Sequence, residues 1–308
     1  PLFEVILPMT ERASQLIFIK NAFQKIARLK REVFNHTGGR STSALPRLEM
    51  IPLLEGVDNQ LDVTSLLNQY VILLKNQLNQ RPSYLRPFLA RSDPAMISGL
   101  IATILANKIA LSEIAKFSKS SGIPTYPIIG VGSLPFRGGL TPSHPENFVK
   151  EYPGIRTVTV QSAFRYDYPT GQVRNAIKFL NHALPRTKTR LIDEATTRKL
   201  TTLINRFALS YQSTLAALLP DLQPFFNAVP RRRERRLHIG LLSYARKMGT
   251  QALPRAITFT AGFYSLGIPP EFIGLGRVLK KLDARELNLL RNHYVNLAND
   301  LSRAGRYI

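Results

Sequence analysis

Six short apolar runs, each ending in polar residues or glycine, are the feature that most limits how this chain can fold. Between them lie stretches in which apolar residues recur three and four positions apart, as on one face of a helix. The runs are Phe3–Met9, Leu48–Glu55, Leu85–Arg91, Tyr126–Val131, Thr157–Ala163 and Leu237–Leu242. Strands buried on both faces have such near-continuous apolar sequences, and parallel strands need long crossovers, usually helices. We therefore predict an α/β fold built on a parallel sheet.

The helical spacing predicts helices over Glu11–Phe34, Val63–Gln80, Pro94–Ser118, Val173–His182, Ala195–Leu219 and Glu286–Ser302. Six strands are two fewer than a (β/α)8 TIM-type barrel needs, and the chain opens without Met, inside an apolar run. We therefore expect two strands upstream, although an open doubly wound sheet fits the same pattern. The predicted organisation is one catalytic barrel domain over 1–308 that is incomplete at its N terminus, with a helical insertion over 169–236 and C-terminal helices over 247–308.

The charge balance predicts an acidic counterpart. The formal net charge is +22, which fits contact with nucleic acid, a membrane surface, or an acidic part of the same protein. There is no cysteine, which excludes disulfides and thiolate sites and favours a cytoplasmic location. No apolar run reaches the roughly 18 residues of a membrane-spanning helix.

Two predicted strands end in carboxylates. Glu55 ends the second run, and Asp93 follows the third. Because the carboxyl ends of parallel strands meet at one mouth, both side chains could offer oxygen ligands to Mg²⁺ or Mn²⁺. For either residue alone, capping of the following helix is the simpler interpretation.

A glycine-rich loop follows the fourth run. It carries Arg137 among Gly130, Gly132, Gly138 and Gly139. Glycine allows backbone to approach a ligand closely, and a guanidinium group binds carboxylate or phosphate through two parallel hydrogen bonds. The pattern indicates a mobile anion clamp, while a glycine-rich turn with a solvated arginine remains the alternative.

Further polar side chains follow the other strands. Gln161 and Arg165 lie at the end of the fifth run, Arg246 follows the sixth, and Arg255 opens a helix. An arginine at a helix start opposes the helix dipole unless an anion binds there. These residues, with Arg91 and Arg137, would converge on a multiply charged substrate.

The basic segment Arg231–Arg236 has a different character, because its side chains point all around the chain. A solvated or inter-subunit segment is the simpler interpretation, and contact with nucleic acid is the less favoured one. The five histidines show no metal-ligand spacing.

Seven motifs follow one another along the chain: Phe3–Thr10, Ile51–Glu55, Phe88–Met96, Ile129–Gly138, Gln161–Tyr168, Arg235–Gly240 and Leu253–Ile257. In this order they resemble archaeal-type phosphoenolpyruvate carboxylase. The resemblance implies a (β/α)8 barrel that converts phosphoenolpyruvate and bicarbonate into oxaloacetate and phosphate with Mg²⁺ or Mn²⁺. It assigns metal binding to Glu55 and Asp93 and phosphate binding to Arg246 and Arg255. Arg137 matches the arginine of the family's glycine loop. It also suggests a homotetramer.

Two departures qualify the resemblance. Met96 stands where the bacterial branch has a lysine, so Arg91 or Arg165 would supply that positive charge. The family's catalytic histidine lies in a Thr-Gln-His-Pro motif that this chain lacks, so the chain alone could be inactive. The alternatives are a non-catalytic or split subunit of such an enzyme, or a basic nucleic-acid-binding protein.

Overall fold

The computed structural model describes residues 3–34, 48–230, 246–248 and 251–308. Its strands are β1 Glu4–Leu7, β2 Glu49–Leu54, β3 Phe88–Ala90, β4 Ile128–Gly130, β5 Thr157–Thr159, β6 Arg246–Met248 and β7 Gln251–Leu253. Its helices are α1 Ala13–Phe34, α2 Val57–Leu61, α3 Val63–Leu78, α4 Ser92–Ser98, α5 Leu100–Ser121, α6 Pro145–Glu151, α7 Ser162–Tyr166, α8 Thr170–Ala183, α9 Glu194–Ala228, α10 Ala256–Ser265, α11 Leu275–Leu279, α12 Ala284–His293 and α13 Leu297–Gly305. Short 3₁₀ turns occupy Pro135–Arg137, Leu184–Arg186 and Pro270–Phe272.

The first five strands form one parallel sheet in the order β1-β2-β3-β4-β5. Five of the six predicted strands are thereby confirmed, and the sixth, Leu237–Leu242, lies outside the described residues. The strand order follows the chain order without reversal. A doubly wound sheet reverses its order at a switch point, so these five strands do not have that topology.

The two faces of the sheet differ in what covers them. Met50, Leu89 and Ile129 point into a large core shared with the surrounding helices. The neighbouring residues Phe88 and Ile128 join a small apolar cluster with Ile51 and Leu53 on the other face. Alternate residues of a strand point to opposite faces, so the helices are concentrated on one side of the sheet.

Arg86 shows that the sheet is curved. It precedes β3, yet its Nη1 donates to a carboxylate oxygen of Glu4 in β1 and its Nη2 donates to Thr157 Oγ1 in β5, 2.9 Å away. In a flat sheet β1 and β5 would stand about 19 Å apart at four strand spacings. Arg86 can bond to both β1 and β5 only if the sheet curves around its side chain. The helices then lie on the convex side of the sheet.

The predicted helices are largely confirmed, with two breaks. The helix predicted over Pro94–Ser118 is divided at Gly99, whose φ of 83° continues no helix. A Cβ at Gly99 would lie 2.8 Å from Cγ of Tyr211, so the break also admits the buried tyrosine. The helix predicted over Glu286–Ser302 is divided between α12 and α13.

A second helical layer surrounds the long helix α9. This helix packs against α4, α5, α10 and α11, and together they form a second apolar core. The segment predicted as C-terminal helices over 247–308 begins differently, because β6 and β7 form an antiparallel pair before α10 starts at Ala256. A short hairpin has too few residues for its alternation to be recognised from sequence.

Within the described part of the chain, no helix combines the length and apolar character needed to cross a bilayer.

Candidate active site

Three neighbouring strands deliver polar groups to the same level of the sheet. Ala90, Gly130 and Thr159 lie side by side in the register of β3, β4 and β5. Two residues further along the chain, past the end of each strand, come Ser92, Gly132 and Gln161. The carboxyl edge of the sheet therefore brings these residues together, as the sequence pattern predicts for parallel strands.

Arg137 lies across this row. Its Nη2 donates to Gln161 Oε1 at 2.6 Å and its Nε donates to Ser92 Oγ at 3.4 Å. Burial lowers the pKa of the Arg137 guanidinium, and the negative charge of nearby Asp93 opposes that shift. A guanidinium remains charged under these conditions. The arrangement places a desolvated cation where an anion would bind strongly.

The backbone of the glycine loop, residues 132–139, closes on itself. Gly132 N–H donates to the Arg137 carbonyl at 2.7 Å, and Leu140 N–H donates to the Gly132 carbonyl at 3.0 Å. A Cβ at Gly132 would stand 3.1 Å from Arg137 Cβ and 3.2 Å from Gln161 Oε1. A side chain at Gly132 would crowd Arg137 and Gln161, so glycine leaves room for Arg137 to fold back over the strand end.

The loop is also anchored from outside. Phe136 is fully buried and stacks on Phe259 with ring centroids 5.8 Å apart. Arg303 donates to the Ser133 carbonyl at 3.0 Å and to the Gly139 carbonyl at 3.4 Å. A closing motion of the whole loop, as the mobile-clamp interpretation requires, would have to break these contacts. Motion of the Arg137 side chain alone would not.

Gly138 and Gly139 have positive φ values of 119° and 73°, which favour glycine over other residues. A Cβ at Gly138 would lie 2.5 Å from Cγ1 of Val131. Both residues thus shape the turn that holds Arg137. Direct contact of Gly138 and Gly139 with substrate remains a prediction.

Arg91 lies behind the loop. It is 1% exposed, and its guanidinium donates to the carbonyls of Pro135 and Phe136 and to the hydroxyl of Tyr152. These contacts make it a support for the loop backbone. The predicted catalytic role of Arg91 is untested by this geometry.

Glu55 and Asp93 follow β2 and β3, as predicted. Oε2 of Glu55 accepts a hydrogen bond from Met9 N–H at 2.7 Å, and Asp93 lies in the first turn of α4. The residues that the structure describes contain no group of three or more metal-binding side chains. Carboxylate oxygens nevertheless have the chemistry that Mg²⁺ and Mn²⁺ prefer, and substrate or water can complete the coordination of either ion.

The remaining predicted arginines lie on neighbouring elements. Arg165 is exposed on α7, with its guanidinium carbon 5.1 Å from the centroid of the Tyr166 ring. Arg255 is the exposed N-cap residue of α10, and Arg246 begins β6, where only the backbone is described. Both α10 and β6 pack against α4, the helix that carries Asp93. The catalytic role of Arg165 and phosphate binding by Arg246 and Arg255 remain predictions.

Several supporting residues of the site are not predictable from the sequence. Buried Gln60 donates to the carbonyls of Leu54 and Ala90, and buried Asn107 donates to Gln60 Oε1 at 2.7 Å. They satisfy the last carbonyls of β2 and β3, the strands that Glu55 and Arg91 directly follow. Glu271, far along the chain, accepts from the loop. An isolated polar residue inside a helix or turn gives no sequence signal of such a role.

A cavity of about 220 Å³ lies elsewhere, between α5, α6, the segment before α9 and the end of α12. Lys108, Lys150, Arg190 and His293 are among its lining residues. None of the predicted site residues lines it, so it is separate from the arrangement around Arg137.

The fold and the site define an α/β protein with a candidate anion-binding centre at the carboxyl edge of a curved parallel sheet. Comparison with known proteins identifies the family within this class. The family model described as phosphoenolpyruvate carboxylase matches residues 1–308. The chain therefore belongs to the phosphoenolpyruvate carboxylase family, which confirms the resemblance seen in its motifs.

Individual relatives agree with this assignment. The chain is 44% identical over 308 residues to the phosphoenolpyruvate carboxylase of Oenococcus oeni. It is 42% identical to that of Leuconostoc mesenteroides and 40% identical to that of Metallosphaera sedula. All three matches cover 100% of this chain and 60% of the relative. The chain thus spans about three fifths of the length of these relatives.

Proposed function

We propose that this chain provides the phosphoenolpyruvate-binding part of an enzyme that carboxylates phosphoenolpyruvate with bicarbonate to give oxaloacetate and phosphate. The observation that carries the proposal is the partly buried Arg137 guanidinium, held between Gln161 and Ser92 at the carboxyl edge of the sheet. Membership of the carboxylase family supplies the substrate class. Phosphoenolpyruvate carries both phosphate and carboxylate, which matches several arginines on neighbouring elements.

The proposed fold is a (β/α)8 barrel completed by strands beyond those described. Three observations support it: the strand order follows the chain order, the helices lie mainly on one face, and Arg86 links β1 to β5 across the concave face. Barrel enzymes bind substrate at the carboxyl ends of their strands. That is the edge at which Arg137, Gln161 and Asp93 lie.

The proposed reaction has two stages. The phosphoryl group passes from phosphoenolpyruvate to bicarbonate, which gives carboxyphosphate and the enolate of pyruvate. Carboxyphosphate then releases CO₂ and phosphate, and the enolate carbon attacks CO₂ to form oxaloacetate. Arg137 would stabilise the charge on the oxygens of the transferred group, since a fixed cation in a desolvated site costs no reorganisation during reaction.

The proposed metal is Mg²⁺ or Mn²⁺, held by Glu55 and Asp93. Such an ion, when bound, supplies positive charge to the oxygens of the substrate. The residues of the chain have a further task, because a proton from water would convert the enolate into pyruvate. The buried Phe136 and the closed backbone of the glycine loop support a role in excluding water on that side.

Assembly and location are proposed on the family assignment alone. We propose a cytoplasmic homotetramer whose ligands are phosphoenolpyruvate and bicarbonate, without membrane or nucleic-acid partners. The segment Arg231–Arg236, on which nucleic-acid binding would depend, lies outside the described residues.

A coupled assay tests the proposed function. Oxaloacetate formation from phosphoenolpyruvate, bicarbonate and Mg²⁺ is followed through malate dehydrogenase, for this chain and for a chain extended upstream to the length of its relatives. We expect activity in the extended chain, and a loss of at least 100-fold in kcat/KM on Arg137→Ala, as for removal of one preorganised donor. Arg277→Ala, an exposed arginine on α11, is the matched control and should retain activity.

The outcomes separate the alternatives. Activity of the extended chain with unchanged kcat/KM in Arg137→Ala would remove Arg137 from the site. Absence of oxaloacetate from the extended chain, with normal folding, would favour the non-catalytic subunit. Activity only after mixing this chain with a separate upstream chain would show a split enzyme, which the 60% coverage of the relatives makes a specific alternative.

A further inference from the structure

Glu271 is a buried carboxyl group that contacts the glycine loop from a distant part of the chain. It lies in the 3₁₀ turn Pro270–Phe272 and is 2% exposed. Its Oε1 accepts from the backbone N–H of Phe136 at 2.8 Å and from the hydroxyl of Tyr264 at 2.5 Å. Its Oε2 is buried without a hydrogen-bond partner within the described residues.

Arg91 contacts the same peptide bond from its other side. Its Nη2 donates to the Pro135 carbonyl at 3.3 Å, while Glu271 accepts from the N–H of Phe136. The Pro135–Phe136 peptide is therefore held by a buried cation at its oxygen and a buried carboxyl group at its nitrogen. Both groups are desolvated, and hydrogen bonds in a low-dielectric interior are electrostatically stronger than in water.

This peptide immediately precedes Arg137. The ring of Phe136 is fixed between Phe259 and Tyr211, so rotation of the peptide would redirect the next residue in the chain. Burial raises the pKa of Glu271, and the hydrogen bonds from Tyr264 and Phe136, with a smaller effect of the Arg91 charge, oppose that shift. A buried carboxyl group with one oxygen unpaired is costly, which indicates a role beyond filling space.

We infer that Glu271 is a positioning residue, which together with Arg91 orients the Pro135–Phe136 peptide so that Arg137 points across Ser92 and Gln161. The inference rests on the proposed function for its effect on catalysis. Its structural part, the restraint of the loop by Glu271, stands without that function.

Three variants of Glu271 separate its hydrogen bonding from its charge and its reach. Glu271→Gln keeps an oxygen that accepts from Phe136 N–H and from Tyr264. Glu271→Leu removes the acceptor and leaves both donors unsatisfied. Glu271→Asp keeps the carboxyl group but withdraws it by one methylene, and serves if the leucine variant does not fold. Glu113→Gln, on the partly exposed face of α5, is the control.

Hydrogen–deuterium exchange of the extended chain tests the restraint without any assay of activity. We expect the peptide containing 132–139 to exchange at least ten-fold faster in Glu271→Leu and in Glu271→Asp. Glu271→Gln should stay within three-fold of the wild type. Unchanged exchange in Glu271→Asp or Glu271→Leu would overturn the inference.

A double-mutant cycle tests the effect on catalysis. We expect Glu271→Leu or Glu271→Asp to raise the KM for phosphoenolpyruvate at least five-fold, with Glu271→Gln close to wild type. In an Arg137→Ala background the same changes should have less than a two-fold effect, because the side chain they position is gone. Additive losses in the two backgrounds would mean that Glu271 only stabilises the fold. Faster loop exchange in a protein without carboxylase activity would contradict the proposed function but not the restraint.

Discussion

Nη2 of Arg137 lies 2.6 Å from Oε1 of Gln161, so a side chain from the loop after β4 is tied to the residue that precedes α7. The bond joins the ends of two neighbouring strands. It also leaves other guanidinium N–H groups of Arg137 able to meet an anion, since arginine has five such donors.

Substitution of Gln161 should change substrate affinity in a graded way. Gln161→Glu would place a carboxylate against Arg137 and neutralise its charge, so we expect the KM for phosphoenolpyruvate to rise at least ten-fold. Gln161→Leu removes one hydrogen bond to a charged group, for which a rise of about three- to ten-fold is expected. Steady-state kinetics of the extended chain measure both, with Gln69→Glu, on the surface of α3, as control. A larger effect of the leucine than of the glutamate variant would contradict this role.

The turn at Gly138 should tolerate no side chain. Its φ of 119° and the 2.5 Å approach of a Cβ to Val131 predict that Gly138→Ala lowers the free energy of unfolding by about 1–3 kcal/mol. Gly171→Ala is the matched control, because Gly171 lies in α8 with nothing within 4 Å of a Cβ. There alanine should stabilise by up to about 1 kcal/mol. Urea denaturation measures both, and equal effects would show that the turn is not strained by a side chain.

Removal of the proposed metal ligands should weaken metal binding. We expect Asp93→Asn and Glu55→Gln each to reduce the affinity for Mn²⁺ at least ten-fold, since each removes a charged oxygen ligand. Electron paramagnetic resonance of free Mn²⁺ measures the affinity directly. Asp58→Asn, in the first turn of the neighbouring α2, is the control. Unchanged affinity in both site variants would place the metal elsewhere.

His293 should make stability depend on pH. Burial lowers its pKa from 6.5, and the charges of Arg190 and Lys108 act in the same direction. The unfolded chain therefore takes up the proton first, so the contribution of His293 is fully present above about pH 6.5 and is lost as the pH falls through the lowered pKa. Between pH 7.5 and 5.5 the wild type should lose more unfolding free energy than His293→Gln does. Urea denaturation measures this, with His182→Gln on an exposed face of α8 behaving like the wild type.

The sequence predicts the sheet because its signal is local. Each strand from β1 to β5 appears as an apolar run that ends in a polar residue, and the chain order of the runs is the order of the strands. The predicted runs are longer than the strands. Residues such as Pro87 and Val131 are apolar and buried, but they lie just outside the hydrogen-bonded strands. The division at Gly99 depends on room for Tyr211, a contact between distant residues that no periodicity reveals.

The residues of the site likewise divide into those with a local sequence signal and those placed by contacts between distant parts of the chain. Arg137, Gln161 and Asp93 are predicted because strand ends converge wherever parallel strands pair. Glu271 is missed because it belongs to an ordinary Pro-Pro-Glu-Phe turn and meets Phe136 only after the helical layer has packed. Arg91 is recognised as important, but its burial behind the loop follows from the position of Tyr152, which sequence alone does not give.

The curvature around Arg86 has a consequence for how this chain reaches its folded state. Every parallel pairing joins strands that are consecutive in the chain, so each closes a loop of modest length, and the cost of closure rises only slowly with added residues. The contact from Arg86 to Glu4 and Thr157 joins β1 to β5, so we expect it to form after the pairings between consecutive strands. Its hydrogen bonds would therefore stabilise the curved sheet only when β1, β3 and β5 have all reached their native positions.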